Sequence, residues 1–168
     1  MNIYLVGFMG TGKTSVGRAL AKKKRWNFVD LDELIELKQR RRIVDIFAQE
    51  GEPYFRRIEK KILKQVSAQK KFVVACGGGV VLDADNIKLM KKTGIIICLR
   101  ATCEVILKRV GASTLRPILN VAKPRERIEL LLKMRAPYYM QADKAIDTSV
   151  LSVKQVVAEI SRILVVKK

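Results

Sequence analysis

At 168 residues, with 49% apolar and 30% charged residues, the chain has the length and composition of one folded domain able to bury a sizeable core. No apolar run approaches the roughly 20 residues needed to cross a bilayer, and the chain passes directly into a strand-like run, so neither a membrane span nor a signal or transit peptide is expected. The net charge of +18 favours anionic partners, and the absence of histidine excludes imidazole chemistry, leaving carboxylates, lysines or the substrate itself as proton acceptors.

The first element is Asn2-Ile3-Tyr4-Leu5-Val6, a short, partly β-branched apolar run that predicts a buried strand. Next comes Gly7-Phe8-Met9-Gly10-Thr11-Gly12-Lys13-Thr14, with the spacing G-x-x-x-x-G-K-[ST], and then a helix from Ser15 to about Lys24. Strand, glycine loop and helix N-terminus together make an anion cradle. Glycines let backbone N–H groups converge on a polyphosphate, and the helix dipole adds partial positive charge. The pattern predicts a bound nucleoside triphosphate, with Gly10, Thr11, Gly12, Lys13, Thr14 and Ser15 around its phosphates. Lys13 reaches the β- and γ-phosphates and the Thr14 hydroxyl binds Mg²⁺.

Trp26-Asn27-Phe28-Val29 reads as a second strand ending at Asp30-Leu31-Asp32. Two aspartates at i and i+2 off a strand end can both face the crevice at the sheet's C-terminal edge. Alternatively, Asp32 caps the helix that follows. Helical periodicity returns over 43–48 and 54–67, on either side of Gly51-Glu52-Pro53. Arg56 and Glu59 are i, i+3 neighbours there, so the carboxylate can hold the guanidinium still, although on spacing alone this is more often a surface pair. Phe72-Val73-Val74-Ala75-Cys76 predicts a buried parallel strand, and Gly77-Gly78-Gly79 directly after it implies close approach to a ligand or another segment. A helix over 83–92, a strand over 94–99 and a helix over 102–109 follow. The aperiodic stretch 111–119 carries Arg116, as expected of a mobile loop closing over phosphates. Pro124 opens a helix containing Arg135, Ala145-Ile146-Asp147 is a last short strand, and Ser152-Val153-Lys154-Gln155 is a capping box for the closing helix. Alternating strands and helices argue an α/β fold with a parallel sheet covered on both faces.

Two features stand apart. The runs Lys22-Lys23-Lys24-Arg25 and Lys38-Gln39-Arg40-Arg41-Arg42 read as solvated helix ends. They are not interleaved with aromatics and no recognition signature accompanies them, so any nucleic-acid binding is expected to be nonspecific. Cys76, Cys98 and Cys103 are odd in number and lack C-x-x-C spacing, which suits core thiols of a reducing cytosol.

Taken jointly and in order, Gly7 to Thr14, Asp30-Leu31-Asp32, Gly51 to Glu59, Gly77-Gly78-Gly79, Leu115-Arg116-Pro117-Ile118-Leu119 and Arg135-Ala136-Pro137-Tyr138-Tyr139 make a specific set. On these motifs the chain resembles the shikimate kinases, within the nucleoside-monophosphate-kinase-like P-loop group, over nearly its whole length. The resemblance implies a P-loop three-layer sandwich with a five-stranded parallel sheet of order 2-3-1-4-5, a single domain over 1–168, a substrate region near 31–60 and a lid near 110–122. It implies ATP-dependent phosphorylation of the 3-hydroxyl of shikimate, a step of chorismate and aromatic amino-acid biosynthesis, with Mg²⁺, in a cytoplasmic monomer. By the same resemblance Asp32 is the base, and Asp30 supports Mg²⁺ through water. Arg56, Arg135 and the glycines Gly77, Gly78 and Gly79 hold shikimate, Lys13 and Arg116 stabilise the moving phosphoryl, and Arg109 lies near adenine. The rival readings are another small-molecule kinase on this fold, acting on gluconate or a nucleotide, and a basic P-loop protein that binds nucleic acid.

Overall fold

Each apolar run becomes a strand in the computed structural model, which describes residues 1–110 and 122–166. The strands are β1 (Asn2–Val6), β2 (Asn27–Asp30), β3 (Phe72–Ala75), β4 (Gly94–Arg100) and β5 (Lys144–Asp147). They pair in parallel in the order β2-β3-β1-β4-β5, as expected. Between them run α1 (Lys13–Lys24), α2 (Leu31–Gln39), α3 (Ile43–Ser67), α4 (Ala84–Thr93), α5 (Cys103–Val110), α6 (Pro124–Tyr139) and α7 (Val153–Val166). Most of the expected lid segment, including Arg116, lies outside the described residues. No helix among the described residues is long and apolar enough to cross a membrane.

The central strands are apolar at nearly every position because both of their faces are buried. Side chains alternate across the sheet. Ile3 and Leu5 of β1 join Ile95, Ile97 and Leu99 of β4 against Val16 and Leu20 of α1 and Val156 and Ile160 of α7. Tyr4 and Val6 join Ile96 and Cys98 on the other face, against Leu63 of α3 and Met90 of α4. Cys76 and Cys98 are buried, and burial pushes both thiols up, Cys98 to about 11, so they serve as small core residues.

Two details position the site. α3 is two helical segments joined at Gly51, whose φ of 79° and ψ of 172° break the helix and redirect the segment carrying Arg56 and Glu59. At the opposite edge of the sheet, where the strands begin, polar side chains lock the entry points together. The Tyr4 hydroxyl donates to Ser67 Oγ at 2.9 Å, and Asn2 Nδ2 donates to the Gln69 carbonyl at 2.9 Å while its Oδ1 accepts from Phe72 N at 3.1 Å.

Candidate active site

The loops after β1 and β3 lie side by side because those strands are sheet neighbours, and the direction of the chain's windings reverses between them. Ligands of open α/β sheets bind at such a switch point. After β1, Gly7, Gly10 and Gly12 take φ of 138°, 74° and 95°, a backbone that side chains other than glycine rarely adopt. Lys13 Nζ donates to the carbonyls of Gly7 at 2.9 Å and Phe8 at 2.8 Å, folding the ammonium over the loop. Ser15 is exposed in the first turn of α1.

The Thr14 hydroxyl donates to Asp30 Oδ2 at 2.7 Å. The other oxygen, Asp30 Oδ1, accepts from the backbone N–H of Asp32 at 3.0 Å and of Glu33 at 3.5 Å, so Asp30 is the N-cap of α2. The cap is thus Asp30 and not Asp32. The last residue of β2 doubles as the cap, so α2 starts at Leu31 with no intervening loop and Asp32 falls in its first turn. One carboxylate therefore joins the glycine loop to the start of α2.

The glycine triplet after β3 is where other segments approach most closely. A Cβ placed on Gly77 would sit 2.8 Å from both Asp32 Oδ1 and Glu59 Oε1. One on Gly78 would meet Arg135 Nη1 at 3.4 Å, and one on Gly79 would fall 2.6 Å from Arg56 Cζ. Side chains from α2, α3 and α6 thus converge on three residues that have none. The Arg56–Glu59 pair is not a surface pair. Glu59 is 1% exposed and accepts from Arg56 Nη1 at 2.6 Å, while Glu52 Oε1 accepts from Arg56 Nη2 at 3.1 Å. Burial raises the Glu59 carboxyl, the Arg56 guanidinium partly offsets this, and the nearby Asp32 carboxylate adds to it. Arg135 stands 5.7 Å over the Phe8 ring, and the Tyr139 hydroxyl donates to the Gly78 carbonyl at 2.7 Å. Burial pushes that hydroxyl to about 12, so it stays a neutral donor.

Arg109 lies on the far side of the glycine loop. Its Nη1 donates to the Gly10 carbonyl at 3.1 Å and its Nη2 to the Thr148 carbonyl at 2.8 Å. Glu59 holds Arg56 as its spacing allows, whereas Tyr139 and Thr148 were not among the expected site residues. Spacing could have suggested Tyr139, one helical turn after Arg135, whereas Thr148 meets the glycine loop across 137 residues of sequence.

A family model described as shikimate kinase matches residues 9–165. The chain belongs to the shikimate kinase family. It is 49% identical over 159 residues to the shikimate kinase of Thermodesulfovibrio yellowstonii, covering 95% of this chain and 92% of that protein. It is 44% identical to the shikimate kinase of Thermoanaerobacter pseudethanolicus, with 95% and 93% covered. Among solved structures, the Acinetobacter baumannii shikimate kinase in complex with shikimate superposes with a TM-score of 0.95 at 38% identity, covering 99% of this chain and 94% of that one. The shikimate kinase family and the P-loop kinase fold expected from the motifs are therefore those of this chain, and the gluconate, nucleotide and nucleic-acid-binding rivals fall away as its primary activity.

Proposed function

We propose that the chain performs its family's reaction, transfer of the γ-phosphoryl group of ATP to the 3-hydroxyl of shikimate, with the groups gathered between the glycine loop and the glycine triplet. The observation that carries this reading is the convergence of Asp32, Arg56 and Arg135, from three helices, on Gly77, Gly78 and Gly79. Two guanidinium forks there suit a planar carboxylate, which lysine would bind only as a point charge. Asp32 then meets the ring hydroxyls and takes the proton from the attacking one. The new O–P bond forms as the bond from the γ-phosphorus to the bridging oxygen breaks, and ADP leaves with that electron pair. Lys13, Arg116 and the N–H groups from Gly10 to Ser15 offset the charge that spreads over the phosphoryl oxygens.

The Thr14 hydroxyl and the Asp30 carboxylate fit Mg²⁺, a hard cation that takes few protein oxygens and completes its shell with water and phosphates. Thr14, with Asp30 through water, would hold the ion beside ATP, where it would supply charge neutralisation to the phosphates. Arg109 borders the nucleotide on the side of the loop after β5. We read 1–168 as one domain with its substrate region near 31–60 and its lid near 110–122, acting in the cytoplasm as a monomer, as the resemblance to the family implies.

The test is acceptor Kd for shikimate and for its methyl ester, in wild type and in the Arg56→Ala, Arg135→Ala double variant. Each charge-assisted contact contributes about 1.5–3 kcal/mol, so losing one arginine lowers acceptor affinity roughly ten- to a hundredfold, whereas esterification, which weakens both contacts, costs wild type most of its affinity and the double variant much less. Equal phosphorylation of acid and ester by wild type would sink the carboxylate clamp. In parallel, Asp32→Asn lowers kcat by about two to four orders of magnitude with ATP binding retained. Near-normal turnover would remove Asp32 from its role.

A further inference from the structure

Two groups stand out among the 34 lysines and arginines of this chain. Arg18, Arg41, Arg42, Arg56, Lys60, Lys123 and Arg125 account for every ion pair among the described residues. A second group sits where the strands begin, on the edge of the sheet opposite the glycine loops. The run Lys22-Lys23-Lys24-Arg25 ends α1 and leads into β2, Lys70 and Lys71 lead into β3, and Lys91 and Lys92 end α4 just before β4. Backbone bonds from Lys71 N to the Met1 carbonyl at 3.1 Å and from Asn27 N to the Lys71 carbonyl at 3.0 Å fix these entries to one another. None of these cations makes an ion pair among the described residues. The segments that build the edge, 1–3, 19–27, 61–72 and 86–96, contain no aspartate or glutamate at all.

Helix dipoles do not account for this. Each helix C-terminus offers about half a negative charge, so the ends of α1, α3 and α4 offset roughly 1.5 units. The three runs carry eight cations, and Arg25, Lys70 and Lys71 lie outside any helix. Mutual repulsion at one edge is a cost that neither the fold nor phosphoryl transfer requires.

We propose that this edge docks the sugar–phosphate backbone of double-stranded nucleic acid, without regard to sequence. Along the sheet alone, the entries of β2 and β4 lie three strand spacings apart, about 14 Å, with α1 and α4 on opposite faces. A duplex carries one phosphate per roughly 3.4 Å along each strand, so this width faces about four phosphates. Seven of the eight cations are lysines, point charges that neutralise phosphate without reading bases. The one tryptophan at the edge, Trp26, is covered by Lys24 Nζ at 5.1 Å and offers no stacking platform for unpaired bases. An anionic membrane fits less well, because Met1 is the one large apolar residue exposed within these segments, and stable attachment needs apolar insertion. The glycine loops lie at the other end of the strands, roughly 15 Å away, so docking leaves ATP and shikimate access open.

The experiment is fluorescence anisotropy with a 20-base-pair duplex from about 50 to 300 mM salt. It compares wild type, an edge variant (Lys22→Gln, Lys24→Gln, Lys71→Gln, Lys92→Gln) and a control that removes equal charge elsewhere (Lys108→Gln, Arg127→Gln, Lys133→Gln, Lys154→Gln). Wild-type affinity falls with salt at a logarithmic slope of about −3 to −4 and does not depend on base sequence. The edge variant binds at least tenfold more weakly at the lowest salt and loses most of that slope. The control stays within about threefold of wild type, both variants keep wild-type shikimate turnover, and saturating ATP does not displace the duplex. Equal losses in both variants would reduce the effect to net charge. Displacement by ATP would move binding to the glycine loop, and stronger, edge-dependent binding to phosphatidylserine vesicles would make the partner a membrane. Absence of wild-type binding at the lowest salt, or marked sequence preference, also overturns the proposal.

Discussion

Thr148 is a side chain on which much of the nucleotide side depends. It is buried, and its Oγ1 lies 3.0 Å from the carbonyls of both Thr11 and Arg100 while accepting from Arg109 Nη1 at 3.2 Å. One hydroxyl thus ties the glycine loop, the end of β4 and α5 together. Thr148→Val keeps the shape and removes the hydroxyl, leaving the Arg109 guanidinium one acceptor short. A hydrogen bond to a charged group contributes about 1.5–3 kcal/mol, so KM for ATP rises roughly tenfold while shikimate Kd is unchanged. Thr148→Ser restores the ATP value. A lower melting temperature with no change in KM for ATP would make Thr148 a packing residue only. Nothing in the sequence pointed to this residue, because its partners are brought to it by the pairing of β4 with β5. Lys13, Thr14 and Asp30 were legible in the sequence. Lys13 and Thr14 are local to one strand–loop–helix unit whose fixed spacing encodes them, while Asp30 meets Thr14 from the end of β2, where the resemblance to the family pointed to it.

At the scale of elements, α3 shows what the sequence reveals and what it withholds. Gly51-Glu52-Pro53 marked a break, and a break is present, but its direction is set by a φ of 79° and ψ of 172° that only glycine adopts readily. That direction turns Arg56 toward Gly79 and buries Glu59, which the i, i+3 spacing alone presented as a surface pair. Gly51→Ala costs about 1–3 kcal/mol of backbone strain or reorients the segment. Either response weakens shikimate binding by a larger factor than ATP binding, because α3 brings Arg56 and Glu59 to the triplet. Isothermal titration with each substrate measures this, and equal losses for both would show that the kink has no directional role. The central strands β1, β3 and β4 were legible as apolar runs since both of their faces are buried, whereas the edge strands β2 and β5 are partly exposed. The strand order followed from the family resemblance, whereas the register and the doubling of Asp30 as strand end and helix cap depend on contacts between segments far apart in the chain.

For the whole molecule, the decisive quantity is a net charge of +18 carried on 168 residues. Most ion pairs that oppose it are exposed on both partners, as in Arg18–Glu33 and Lys123–Glu126, and such pairs contribute about 0–1 kcal/mol each. Self-repulsion, concentrated at the strand-entry edge, therefore outweighs surface pairing in its response to salt. Screening lengths shrink from about 30 Å at 0.01 M to about 10 Å at 0.1 M, comparable to the width of that edge. Added salt accordingly stabilises this fold, where a protein held by surface ion pairs would lose stability. Between 10 and 300 mM sodium chloride the melting temperature rises by about 2–4 °C, the change expected of roughly 1 kcal/mol in a chain of this size. The edge variant with Lys22, Lys24, Lys71 and Lys92 changed to glutamine melts higher than wild type at 10 mM salt. The two curves meet as salt rises, since screening removes the repulsion that the substitutions remove. This measurement uses protein alone, so it separates the energetic cost of the basic edge from any partner it serves. A wild-type melting temperature that falls with salt would mean that the exposed pairs outweigh the repulsion, and the excess of unpaired lysines at the edge would then carry no folding cost.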